Sequence, residues 1–129
     1  RATAWANVAD NAGSSPLTNT YVALHTADLT AATNSQAEDE TAYTNYARVA
    51  VARTNVGWSV PASGATANAA LVQFPQCGAS GATITRVPVG PAAGGARPVP
   101  SARALMSSLS VANLIQPQFA TGDLDVTET

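Results

Sequence analysis

His25 is the only histidine in the chain, so acid–base chemistry of the commonest kind would have to run through it. It stands in the run Tyr21-Val22-Ala23-Leu24-His25-Thr26-Ala27 with no Ser or Cys motif beside it. The plainer reading is a surface or sheet-face histidine. Gly78-Ala79-Ser80-Gly81 is superficially like the elbow that presents a nucleophilic serine. The Gly-x-Ser-x-Gly pattern and its strand–turn–helix setting are both missing, and a turn accounts for it. Gly90-Pro91-Ala92-Ala93-Gly94-Gly95 has glycines but lacks the Lys-Ser/Thr that would hold a phosphate. Cys77 is alone, which excludes an intrachain disulfide and a cysteine-based metal site.

The charged residues admit binding more readily than catalysis. Glu38-Asp39-Glu40, with Asp28 upstream, supplies the oxygens a calcium ion would want, but not the alternating Asp-x-Asp-x-Asp-Gly spacing of a dedicated loop. A solvated loop fits better, with Arg48 and Arg53 close enough in sequence to pair with it and order it. Asp123, Asp125 and Glu128 stand at near-alternate positions of a terminal strand, where charges discourage unwanted edge pairing. Arg97 and Arg103 bracket the end of a proline-stiffened stretch, a placement suited to an interface because a guanidinium binds carboxylates in a fixed geometry. No catalytic residue, metal ligand or cofactor-binding motif emerges.

Composition narrows the function classes. The 129 residues suit one domain. Charged residues make up 11% against about 25% in an ordinary soluble domain. There is no Lys, the six Arg are scattered and the formal charge is −2, which argues against nucleic acid as a partner. No apolar run is long enough for a membrane-spanning helix. Alanine and threonine fill a third of the positions, so the 46% apolar figure overstates the core. A chain this poor in Leu, Ile and Phe is expected to bury further surface on a partner or on copies of itself.

The elements that would position these residues read as strands. Tyr21–Ala27 alternates with Val22 and Leu24 on one face, and Tyr46–Ala52 with Val49 and Val51 on one face. Further strands are expected at Asn55–Val60 with Trp58 as core, Ala70–Phe74, Ala82–Val87, Ala102–Val111 and Asp123–Thr127. The Pro- and Gly-rich segment 88–100 excludes a helix or a central strand and predicts a long loop or an edge. Near the start, Trp5, Val8, Ala9 and Ala12 share helical spacing ended by Gly13. The expectation is an all-β fold: a single-domain antiparallel β-sandwich or jelly roll over 17–129, preceded by a short helix or arm over 1–16.

Word patterns carry a family resemblance. Thr20-Tyr21-Val22-Ala23-Leu24-His25-Thr26-Ala27-Asp28, Glu40, Tyr43-Thr44-Asn45-Tyr46-Ala47-Arg48-Val49-Ala50-Val51 and Asn68-Ala69-Ala70-Leu71-Val72-Gln73-Phe74-Pro75 resemble a family of small structural proteins of tailed bacteriophages. The closing Phe119-Ala120-Thr121-Gly122-Asp123-Leu124-Asp125-Val126 is similar to that family's ending. Members carry two labels, head decoration (cement) protein and tail fibre protein. The resemblance implies a non-enzymatic β-sandwich in the virion, without cofactor or metal. The favoured role is a cement protein on the capsid surface, assembled from the host cytoplasm, whose partners are the major capsid protein and further copies of itself as dimer or trimer. Arg1, Trp5 and Val8 on the N-terminal segment, with Arg97 and Arg103, are the expected interface residues. The sequence departs from the family pattern at Arg86-Val87-Pro88 and through the stretch to Pro100. A tail or tail-fibre component is the alternative role. A small hydrolase or carbohydrate-binding domain is the distant one, and it would need a concave aromatic site that seven aromatic residues scarcely supply.

Overall fold

A computed structural model describes residues 18–27, 35–59, 65–95 and 101–127. All regular structure among them is β: β1 (Asn19–Val22), β2 (Val49–Ala52), β3 (Ala65–Ala67), β4 (Val72–Gln73), β5 (Ala82–Gly90), β6 (Ser101–Val111), β7 (Gln118–Phe119) and β8 (Asp125–Thr127). Four strands form a sheet in the order β2-β1-β5-β6, while β3 pairs with β8 and β4 with β7, every pairing antiparallel. The all-β, sandwich-type architecture agrees with the alternation in the sequence. Jelly-roll connectivity is not established by these three sheets. The expected N-terminal helix lies outside the described residues.

The core draws on β1, β2, β4, β5, β7 and the chain around them, and at the end of β5 both faces are buried. Val22, Leu24, Phe74 and Ile84 are fully buried, joined by Val51, Trp58, Val72, Val87, Val111 and Leu124. Aromatic rings bridge the layers. Phe74 stacks on Tyr46 with ring centres 6.3 Å apart and meets the Phe119 ring edge-on at 6.3 Å, and Tyr46 meets Tyr43 edge-on at 5.3 Å.

Two expectations are corrected. The segment from Pro88 does not start as a loop: β5 continues through Pro88 and Val89 to Gly90, flanked by β1 and β6. Pro88 accepts a hydrogen bond from the Ala23 N–H at 2.9 Å but has no N–H to return one. The β1–β5 ladder therefore stops at Val22↔Val89 and resumes as an isolated bridge at His25↔Arg86. The second correction concerns Asn55–Val60, expected as a strand. Asn55–Gly57 form a turn, among the described residues of this segment only Trp58 bridges (to Asn68), and Val56 is 73% exposed instead of sharing the Trp58 face. A Cβ on Gly57 would fall 2.1 Å from the Ala52 carbonyl oxygen, so this close turn needs glycine. Trp58 is core, as expected, and its indole N–H donates to Thr20 Oγ1 at 2.9 Å. Arg103 lies within β6 opposite Val87, in the strand expected over Ala102–Val111.

Candidate functional site

Among the described residues a dense polar cluster forms where the turn Ser35–Glu40 meets the end of β1 and the chain entering β2. His25 anchors it. Its backbone bridges two neighbours, donating to Arg86 O at 2.9 Å and accepting from Thr85 and Arg86 N–H groups, while it pairs with Glu40 on its other side. The side chain is fully buried, so the sheet-face expectation holds only in its interior form: it is not a surface residue. Imidazole Nε2 lies 3.0 Å from the Gln36 carbonyl oxygen, which can only accept, so Nε2 carries the proton. Nδ1 then presents a lone pair, buried and without a partner. Burial dominates the lowering of the His25 pKa, outweighing the Gln36 carbonyl and the Glu40 and Asp39 carboxylates; Arg48 lowers it further.

Glu40 receives three short bonds. Tyr46 Oη donates to Oε1 at 2.7 Å, Arg48 Nε donates to the same oxygen at 2.7 Å, and Arg48 Nη2 donates to Oε2 at 2.7 Å. The guanidinium–carboxylate contact is thus bidentate, with the Arg48 side chain only 3% exposed. The remaining Arg48 donors reach the carbonyls of Ala92 (2.9 Å), Gln36 (3.2 Å) and Gly95 (3.0 Å). One side chain therefore ties the 35–40 turn to the loop that follows β5. Tyr46 Oη also accepts from the Leu24 N–H at 3.1 Å. Its phenol is pushed far above its ordinary value by burial first and by the bond to Glu40 second. The Arg48 pKa is raised by its bonds to Glu40. Gln36 completes the corner: its side chain packs where a Cβ on Gly90 would collide with it at 2.5 Å, and it donates to Tyr21 O at 3.3 Å.

These groups fasten segments together. The phenol is held as a donor, the carboxylate is occupied on both oxygens, and the guanidinium divides its donors between that carboxylate and backbone carbonyls. A second buried polar residue behaves alike: Asn68 donates to Ala70 O and Ala120 O at 2.8 Å each and accepts from Leu124 N at 2.9 Å. Among the described residues no group of three or more His, Cys, Asp or Glu could hold a metal. Gly78–Gly81 is irregular chain whose Ser80 carbonyl accepts from Thr44 N–H and Cys77 Sγ. Asp123 Oδ2 accepts from the Ala120 N–H at 2.9 Å, closing a turn.

Of the sequence-derived interface residues, Arg1, Trp5, Val8 and Arg97 lie outside the described residues, and for Arg103 only its place in β6 is described. The expected pairing of the acidic run with Arg48 is present. What spacing alone did not reveal is that His25, Gln36, Glu40, Tyr46 and Arg48 form a single cluster. The signal was available: four of the five lie in the words that carried the family resemblance.

Among the described residues the domain is all-β, and its buried polar side chains hold its own loops in place. A family model described as Podophage GP4 fiber I protein gp80 matches residues 2–127, and the chain belongs to that family of phage fibre proteins. No curated protein matches it. The family is one of virion structural proteins, and of the two labels carried by the sequence resemblance its description bears the fibre one.

Proposed function

We infer that this chain is a non-enzymatic component of a phage tail fibre, a rigid β unit that joins neighbouring copies and adjoining tail proteins. The observation that carries the reading is the family match over 2–127 to a fibre protein. The corner around Arg48 supports it, because charged and aromatic groups there are consumed in stiffening the domain instead of converging on a substrate. In this reading Arg1, Trp5 and Val8, together with Arg97 and Arg103, contact the partner.

Copy number in purified virions, measured by quantitative mass spectrometry against the major capsid protein, tests the role. The fibre reading expects far less than one copy per capsid subunit, and a lower number still in virions carrying Arg97→Ala with Arg103→Ala. A ratio near one to one would replace it with the capsid-cement role.

A further inference from the structure

Nδ1 of His25 is the loose end of the corner. The ring is fully buried, Nε2 is committed to the Gln36 carbonyl, and Nδ1 has no partner. Most buried polar atoms in a native fold are satisfied, so this one calls for a reason. The chain on its two sides is fastened unequally. His25 itself is pinned to β5 by its backbone bonds with Thr85 and Arg86. The Ser35–Glu40 turn is closed on itself, with Glu38 N–H donating to Ser35 O at 3.1 Å and Ala37 N–H to Ser35 Oγ at 3.2 Å. Backbone bonds tie that turn to the end of β1, from Thr26 N–H to Asp39 O and from Thr41 N–H to Leu24 O, each 2.9 Å. Gln36 couples it to the loop after β5, because its Oε1 accepts from the Ala92 N–H at 3.4 Å.

A proton on Nδ1 would place a donor without an acceptor inside the domain and make the ring a cation. The charges around it are mixed. Glu40 stands across one bridge, with Asp39 and Glu38 next to it in the turn, and Arg86 stands across the other. Arg48 reaches the same Gln36 carbonyl as the ring, at 3.2 Å. Glu40 cannot turn toward the ring without leaving Arg48 and Tyr46. The rest of β5 and the loop to Gly95 carry no charge. Burial prevails over these opposing charges and keeps the His25 pKa below 6.5. The closed corner therefore rejects a proton that an open one, with water at Nδ1, accepts.

We propose that His25 is a proton-operated latch: taking up a proton at Nδ1 frees the Ser35–Glu40 turn, and the loop after β5 that Gln36 holds, while the rest of the domain stays folded. The turn is the part that moves, since it is a closed unit on few bonds and His25 is fixed in the sheet. The inference is independent of the fibre reading.

Native-state hydrogen exchange of the full chain, followed by NMR between about pH 7.5 and 5.5 with and without dilute urea, tests it. The Thr26, Thr41 and Ala92 amides should lose protection on acidification, by up to about tenfold over that interval. Their exchange should depend little on urea, because a local opening exposes little surface. The reference is the β4–β7 ribbon, whose chains stay paired through Phe74 N–H to Pro117 O and Cys77 N–H to Ile115 O toward a tip at Leu114. Those two amides should exchange only with the full urea slope of unfolding. His25→Gln keeps an N–H donor and cannot titrate, so its corner protection should stay level across the interval. Because His25 is the only histidine, its ring resonances give the titration of the latch directly in the wild type, with a midpoint expected below 6.5. Wild-type corner amides that match the ribbon in protection and urea slope, or that keep their protection at the lower pH, would overturn the proposal. So would a ring that titrates at 6.5 or above, or a His25→Gln variant with the pH dependence of the wild type.

Discussion

The corner around Arg48 and the β4–β7 ribbon are built from opposite materials. In the corner, ionic and phenolic groups are buried and every bond is directed inward, joining the 35–40 turn, the end of β1 and the loop after β5. On the ribbon the polar groups are neutral amides, the large apolar side chains face water, and a leucine occupies a strained turn. A buried ion pair adds little net stability over an apolar substitute of the same shape, yet breaking one is expensive. The corner therefore fixes geometry, holding three segments of a thinly cored chain in one arrangement. The ribbon contributes Val72 and Phe119 to the core and leaves its other face uncommitted. Polar residues do not mark an active site by their burial, nor apolar ones a core by their size.

The largest effect should come from breaking the corner. Arg48→Ala leaves the Glu40 carboxylate without its bidentate partner and removes the Arg48 bonds to the Ala92 and Gly95 carbonyls, while Gln36 O keeps its bond from His25, and should cost about 3–5 kcal/mol in urea unfolding. Arg48→Lys should not rescue it, because an ammonium cannot fill the planar fork. Gln73→Ala on the ribbon, measured alongside, should stay within about 0.5 kcal/mol, as an exposed side-chain contact does. Equal losses at the two sites would abolish the contrast.

A smaller effect should appear on acidification. The folded state lowers the His25 pKa below 6.5, so beneath pH 6.5 the unfolded chain takes up a proton that the native chain refuses. The contribution is complete above 6.5 and is lost as pH falls from there toward the folded pKa, at up to about 1.4 kcal/mol per pH unit. The groups facing the ring, Glu40 and Asp39 against Arg48, partly oppose one another, and burial decides the direction. His25→Gln keeps an N–H donor and cannot titrate, so its stability between about pH 7.5 and 5.5 should fall less steeply than that of the wild type. Parallel profiles would mean that His25 is solvated, and the corner less tightly closed than its geometry implies.

The two regions also differ in how far the sequence disclosed them. Strand alternation gave Val22, Leu24 and Val51 their faces correctly, because a side-chain period of two needs only local order. It erred at Asn55–Val60, where the same alternation hides a turn forced by the contact between Gly57 and the Ala52 carbonyl. It erred again at Pro88, where a rule about missing donors was applied to a strand whose ladder breaks to accommodate one. The pairing of Arg48 with the acidic run was readable from their nearness in sequence. The joining of that pair to Ala92 and Gly95 was not, since it depends on where β5 ends. On the ribbon, Leu114 and Ile115 look like core by type alone, and their exposure, with the backbone angle at Leu114, shows otherwise.

That angle supplies the finest comparison. Within the corner every truncation should destabilise, because each group there satisfies another. At the ribbon tip the sign should reverse. Leu114→Asn removes an exposed apolar side chain that contributes little to the core and replaces it with a residue at ease at φ +68°, while the Leu114 amide bond to Cys77 and the carbonyl bond from Gln76 are kept. Relief of left-handed strain on a branched side chain should raise stability by about 1 kcal/mol, read as a higher urea midpoint at unchanged slope. A midpoint that instead falls on substitution would mean that Leu114 packs against the domain after all. The tip would then belong with the corner, as part of what the fold needs to hold itself together.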